Sequence, residues 1–158
     1  MLADGLNGAC ERARRLQVTD SDFALHPRLE ADSVYLCRWT LCQVRLINDA
    51  RYPWLMLVPE QPNITEPFEL TAGDQAQLWR ESMVLAAWMK GYFRADKMNV
   101  AALGNVVPQL HVHHVARVVN DSAWPGPVWG VGEAEPYEPE RLTALCQTLT
   151  PLLRAVAV

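Results

Sequence analysis

The sequence predicts an α+β domain: a mostly antiparallel sheet of about five strands, one long helix and a C-terminal helix. Two observations carry this. Short runs rich in β-branched and aromatic residues cluster before and after a single long stretch of helical periodicity, and they do not alternate with helices as βαβ units would. The chain has 158 residues, 50% of them apolar and 20% charged, which suits one core and one domain over 1–158 rather than two.

Taken in order, residues 1–18 read as a polar helix. The stretch FALHPRLEADS, with Pro27 and Asp32, reads as a connection into the first strand. VYLCRWTLCQVRLI, Val34 to Ile47, suits one bent strand or two short ones. NDARYP makes a turn, and WLMLV is short, apolar and fenced by Pro53 and Pro59, as a buried strand is. PEQPNITEPFEL holds three prolines and predicts an irregular surface connection. A helix follows. Thr71 and Asp74 form a capping pair, and Leu78, Met83 or Leu85, Trp88 and Met89 fall near one face through about Phe93. MNVAAL then reads as a strand, GNVVP as a tight bend, and QLHVHHVARVV as the longest alternating strand signal in the chain. From Pro139 the tail is helical, with Pro151 ending or kinking it.

Fourteen Lys and Arg against eighteen Asp and Glu, for a net charge of -4, give no footprint for binding a nucleic acid duplex. No apolar run approaches the roughly 18 residues that cross a bilayer, and the N-terminus lacks the apolar stretch of a signal peptide, so a soluble, cytoplasmic protein is expected. Cys10, Cys37, Cys42 and Cys146 are sparse, with no CxxC pair, and read as reduced, mostly buried thiols.

The alternating strand carries the chemistry. Gln109, His111, His113, Val115 and Arg117 project from one face; His114 projects from the other. At about 3.3 Å per residue, His111 and His113 lie roughly 6.6 Å apart, within reach of one phosphate or one metal ion. Three readings stay open on spacing alone: a structural pair bonded to backbone carbonyls, a metal site and a catalytic pair. The metal reading needs a third ligand, and nothing in the sequence brings His26 near. In the catalytic reading, one neutral imidazole attacks phosphorus while its second nitrogen is held by a hydrogen bond, and the other imidazole donates to the phosphoryl oxygens.

QLHVHHV resembles the signature of the histidine triad (HIT) superfamily of nucleotide hydrolases and transferases, His-φ-His-φ-His-φ-φ with φ apolar. NDARYPWLMLVP, KMNVAALGNVVPQLHVH and AWPGPVWG extend the resemblance, strongest over 23–130, to a bacterial branch of HIT-like hydrolases. The resemblance implies a HIT-like fold in which His111 is the nucleophile on an α-phosphate and His113 takes the last triad position. Gln109 stands where the first histidine is usual, contributing an amide that cannot titrate. Asn105 looks like the bend residue that reaches phosphate. Val106 sits where many relatives place a serine, so protonation of the leaving group falls to another donor such as His113 or water. Asn99 matches a position near the phosphate, and Asp49 the acid that holds the ribose hydroxyls, although a turn aspartate bonding its own backbone is the alternative for the latter. Arg51 and Arg117, as lone arginines at strand ends, read as solvated and stay outside the site. Trp124 reads as a packing residue rather than a base platform.

The expectation is therefore a nucleotide hydrolase or nucleotidyl transferase with a covalent His111 intermediate, acting on dinucleoside polyphosphates or nucleotide conjugates. No cofactor is required, although a divalent cation can accompany the substrate phosphates, and a homodimer is implied by the resemblance. A nucleotide-binding protein with weak turnover is the alternative, and a His-x-His metalloprotein the third.

Overall fold

The computed structural model describes residues 23–158; the expected helix over 1–18 and Cys10 lie outside them. Five antiparallel strands form one sheet in the order β1-β2-β3-β5-β4: β1 (Ser33–Arg38), β2 (Cys42–Ile47), β3 (Trp54–Pro59), β4 (Lys97–Ala101) and β5 (Val112–Arg117). The run from Val34 to Ile47 is two strands, joined by a tight turn. Glu81 of the long helix reaches into that turn, and its carboxylate accepts from the backbone N–H groups of Leu41 and Cys42 at 2.7 and 3.1 Å.

A short helix, α1 (Pro27–Asp32), precedes β1 where a plain connection was expected. Its nucleus is local: Pro27 presets the first helical φ, and His26 Nδ1 accepts from the Arg28 N–H. The long helix α2 (Ala72–Tyr92) starts as predicted, with Thr71 Oγ1 accepting from the Asp74 N–H at 3.1 Å. Leu78, Leu85 and Met89 are its buried apolar face, while Met83 is exposed. The C-terminal helix α3 spans Pro139–Ala155, so Pro151 lies within it and does not end it.

The two long helices, α2 and α3, cover one side of the sheet. Leu55 and Leu57 of β3 join Leu36, Val44, Leu46, Leu85, Met89, Leu149 and Leu153 in the main core there. On the opposite side Met56 and Val58 pack with Leu29 and Val107, and Trp54 packs with Tyr52, Val115 and Val128. A strand buried on both faces has no polar alternation, which is why WLMLV reads as a continuous apolar run. β5 is shorter than its sequence signal, although β3 continues to Pro59 beyond their last pair. Its ladder with β3 begins at Leu57↔Val112, and that with β4 at Ala101↔His113. Gln109 and His111 therefore lie on the approach to the strand.

Candidate active site

The period-two geometry of β5 separates its histidines. His114 is opposite Leu55 and faces α2; its Nε2 lies 2.8 Å from Ser82 Oγ, and its Nδ1 lies 3.2 Å from the Val112 carbonyl. A carbonyl only accepts, so Nδ1 carries the proton and the serine hydroxyl donates to Nε2. The burial that encloses this ring pushes its pKa down to about 4. The alternation turns His114 to the other face, and the structure places it in the core.

His111 and His113 meet on the other side, with ring centroids 4.8 Å apart and planes at 87°. His111 Nδ1 lies 2.7 Å from the Gln109 carbonyl. It must therefore donate, which leaves the lone pair on Nε2. His113 is arranged in the opposite sense: Trp54 Nε1 donates to its Nδ1 at 3.0 Å, so its proton sits on Nε2. Burial, reinforced by the nearby His111 and His114, pushes the His113 pKa down to about 3. One ring thus presents a nucleophilic nitrogen and its neighbour a neutral N–H.

A cavity of about 440 Å3 opens beside His113, lined by that ring, Trp54, Asn48, Asp49, Arg51 and Trp129 among others; His111 stands behind His113 and does not line it. Its outer wall is the segment from Val128 to Pro136, fastened to the β2–β3 turn. Arg51 Nη1 donates to the Val131 carbonyl at 2.7 Å, the Ala50 N–H donates to the Glu135 carbonyl, and Asn48 Oδ1 accepts from the Tyr137 N–H. Gly132 passes beside Arg51 with φ +63°, and a Cβ there would come within 3.1 Å of Nη1. Trp129 packs edge-on against His113 and Trp54, each with centroids 5.8 Å away. Its buried Nε1–H has no hydrogen-bond partner.

The expected site residues divide. Asp49 lines the cavity and is buried, with Arg51 Nη2 at 2.6 Å on Oδ2 and Arg51 Nε at 2.9 Å on Oδ1. Burial alone would raise its carboxyl. The hydrogen bonds from the Arg51 side chain and from the Arg51 and Glu135 backbone outweigh that and hold it below the usual carboxylate range. Gln109 lies two residues before His111, but its carboxamide is engaged elsewhere: Oε1 accepts from the His26 N–H and Nε2 donates to the Ala24 carbonyl, both at 2.8 Å. Asn99 turns to Arg117, accepting from Nη1 at 2.7 Å, and Asn105 is exposed on the bend; neither lines the cavity.

The arginines need correction. Arg117 is 1% exposed rather than solvated, because Asp121 takes its Nε and Nη2 in a fork while Asn99 takes Nη1. Arg51, expected outside the site, is part of the cavity wall. Trp124 packs against the Arg117 guanidinium, 5.8 Å from the ring centre. Sequence reading missed Trp54 and Trp129 as neighbours of His113. The one available signal was a tryptophan opening a proline-fenced strand, and core packing explains that equally well.

Among the described residues, no group of three or more His, Cys, Asp or Glu side chains is placed to hold a metal ion, and no helix is long and apolar enough to cross a membrane. The cysteines described are free, with Cys37 and Cys42 buried and Cys146 half-buried.

Two histidines that meet on one face where β5 begins fit the spacing of the signature, and the HIT domain model matches residues 28–119. The chain belongs to the HIT domain family. Solved structures of HIT proteins agree. A histidine triad protein from Marinobacter aquaeolei VT8 is 48% identical, with a TM-score of 0.82 over 85% of this chain and 98% of that one. One from Sinorhizobium meliloti 1021 is 47% identical, with a TM-score of 0.80 over 84% and 98%. A third, from Bradyrhizobium japonicum, is 39% identical, with a TM-score of 0.79 over 87% and 99%. No curated protein matches the sequence. HIT proteins are generally nucleotide-binding hydrolases or transferases.

Proposed function

We propose that this HIT protein hydrolyses or transfers a nucleotidyl group in two steps through a covalent intermediate on His111, with dinucleoside polyphosphates or nucleotide conjugates as substrates. The observation that carries the reading is the pair of opposed tautomers. With Nδ1 bound to the Gln109 carbonyl, His111 keeps its Nε2 electron pair for phosphorus, 4.8 Å in ring-centre terms from a neutral N–H donor. The Nε2 pair forms a P–N bond as the bond from phosphorus to the leaving group breaks, and the leaving group takes that electron pair. Water then attacks phosphorus, the P–N pair returns to Nε2, and the water proton passes to solvent. In transfer, an acceptor hydroxyl or phosphate replaces water.

The chemistry needs no metal; a divalent cation enters only with the substrate phosphates. The cavity beside Asp49 takes the nucleoside, with Oδ2 accepting from the ribose on the side not used by Arg51. Asn105 and Asn99 reach the phosphates only if the bend and the Arg117 contact rearrange. We further place the chain, as a single domain, in a bacterial branch with glutamine at the first triad position, acting as a cytoplasmic homodimer.

A second reading, a nucleotide-binding protein with weak turnover, draws on Gln109 and Val106. The glutamine side chain is engaged by backbone, and Val106 is 79% exposed and has no hydroxyl to donate a proton. Intact-protein mass measured after brief exposure to a dinucleoside polyphosphate separates the two. The enzyme gains one nucleotidyl mass, which His111→Ala abolishes; a binding protein shows affinity without the adduct.

A further inference from the structure

Building on the nucleotidyl-transfer reading, we propose that Trp54 is a positioning residue: it fixes His113 as a neutral hydrogen-bond donor and thereby restricts the substrates. They are nucleotides whose leaving group departs as a stable anion, phosphoanhydrides and acyl phosphates rather than alkyl amidates.

An indole has one N–H and no acceptor on its nitrogen, so its hydrogen bond to His113 Nδ1 admits only one tautomer. A proton on Nδ1 would confront the indole N–H head-on. The indole is held by edge contacts with Tyr52 and Trp129, at centroid distances of 6.5 and 5.8 Å, so it does not swing away cheaply. The acidic groups lining the cavity do not favour an imidazolium either. Asp32 on α1 is paired with Arg28, and Asp49 in the turn with Arg51, each at 2.6 Å. The remaining titratable neighbours, His111 and His114, favour the neutral ring, and burial acts in the same direction.

A neutral imidazole is a far weaker acid than an imidazolium, so His113 Nε2–H can stabilise developing charge on oxygen without giving up its proton. Val106 and the Gln109 carboxamide supply no proton in its place. When the P–O bond of an anhydride breaks, the electron pair rests on a phosphate or carboxylate oxygen and needs none. Breaking the P–N bond of an alkyl amidate puts the pair on a strongly basic nitrogen, which must be protonated as it leaves.

The test compares the p-nitrophenyl ester of AMP with its butylamidate, for the wild type and for Trp54→Phe, which keeps an aromatic ring but removes the N–H. Wild-type kcat/KM should favour the ester by about 10²-fold to 10⁴-fold, the size that general-acid assistance ordinarily supplies. Trp54→Phe should shrink that ratio by roughly tenfold or more. Nitrogen-15 NMR of wild-type His113 should show the Nε2–H tautomer unchanged from pH 8 to pH 5.5, which keeps the proposal testable if the variant does not fold. Similar turnover of both substrates, or a His113 that carries its proton on Nδ1 or on both nitrogens at pH 6, overturns the role of Trp54. Turnover of neither substrate by a protein with the stated tautomer overturns the nucleotidyl-transfer reading, and the substrate preference falls with it.

Discussion

At the scale of single residues, the hydrogen-bond partner of each ring sets the histidine chemistry. The Gln109 carbonyl orients His111, an indole orients His113, and a serine with a carbonyl orients His114. Replacing His111 by alanine removes the attacking nitrogen while leaving the wall of the cavity intact. Turnover should fall by about 10³-fold or more with nucleotide binding retained, which single-turnover kinetics and calorimetry would check. Alternation in the sequence was enough to pair His111 with His113 and to turn His114 to the other face, though not to tell that this face is core there. The partner of His113 was not legible, because Trp54 lies 59 positions away along the chain and meets it only through the register of β3 against β5. Gln109 shows a related limit: its position in the triad pattern was readable, but its engagement with residues 24 and 26 depends on how the chain enters α1.

Among the elements, α2 was the most legible because its start signal is local. Thr71→Ala should remove one capping bond at a cost of about 1 kcal/mol, lowering Tm by roughly 2–4 °C in a chain of this size. The segment Val128–Pro136 was the least legible, since proline, glycine and tryptophan together have no period and its anchors are 80 to 89 positions upstream. Its fastening depends on the ion pair between Arg51 and Asp49, whose side chains are 14% and 2% exposed. Arg51→Ala would strand a buried carboxylate and release the Val131 carbonyl, for which a loss of about 3 kcal/mol or more is expected. Limited proteolysis should then cut within 128–137 well before the rest of the fold. Gly132→Ala should loosen the same segment, because its positive φ and the close approach of Arg51 both oppose a side chain.

For the whole molecule, two buried neutral histidines make stability depend on acid. His113 and His114 have folded pKa values near 3 and 4, below the ordinary 6.5, so below about pH 6.5 the unfolded chain binds more protons than the folded one. The contribution of these two rings is therefore complete above that pH and is lost progressively as pH falls toward 3. The urea midpoint should follow that course, and His114→Gln should flatten it by removing one of the two groups. The sheet class and the single long helix were visible in the clustering of strand-like runs around one helical stretch. The cavity was not, because its walls come from α1, the β2–β3 turn, β5 and the 128–136 segment, which only the assembled fold brings together.

The proposed reaction turns on the bond between phosphorus and one imidazole. A rapidly quenched single turnover with a radiolabelled dinucleotide, followed by peptide mapping at alkaline pH, should find one nucleotidyl group on His111, released by acid as a phosphoramidate is. Product formed at full rate with no label on the protein, or label on any other side chain, would contradict it.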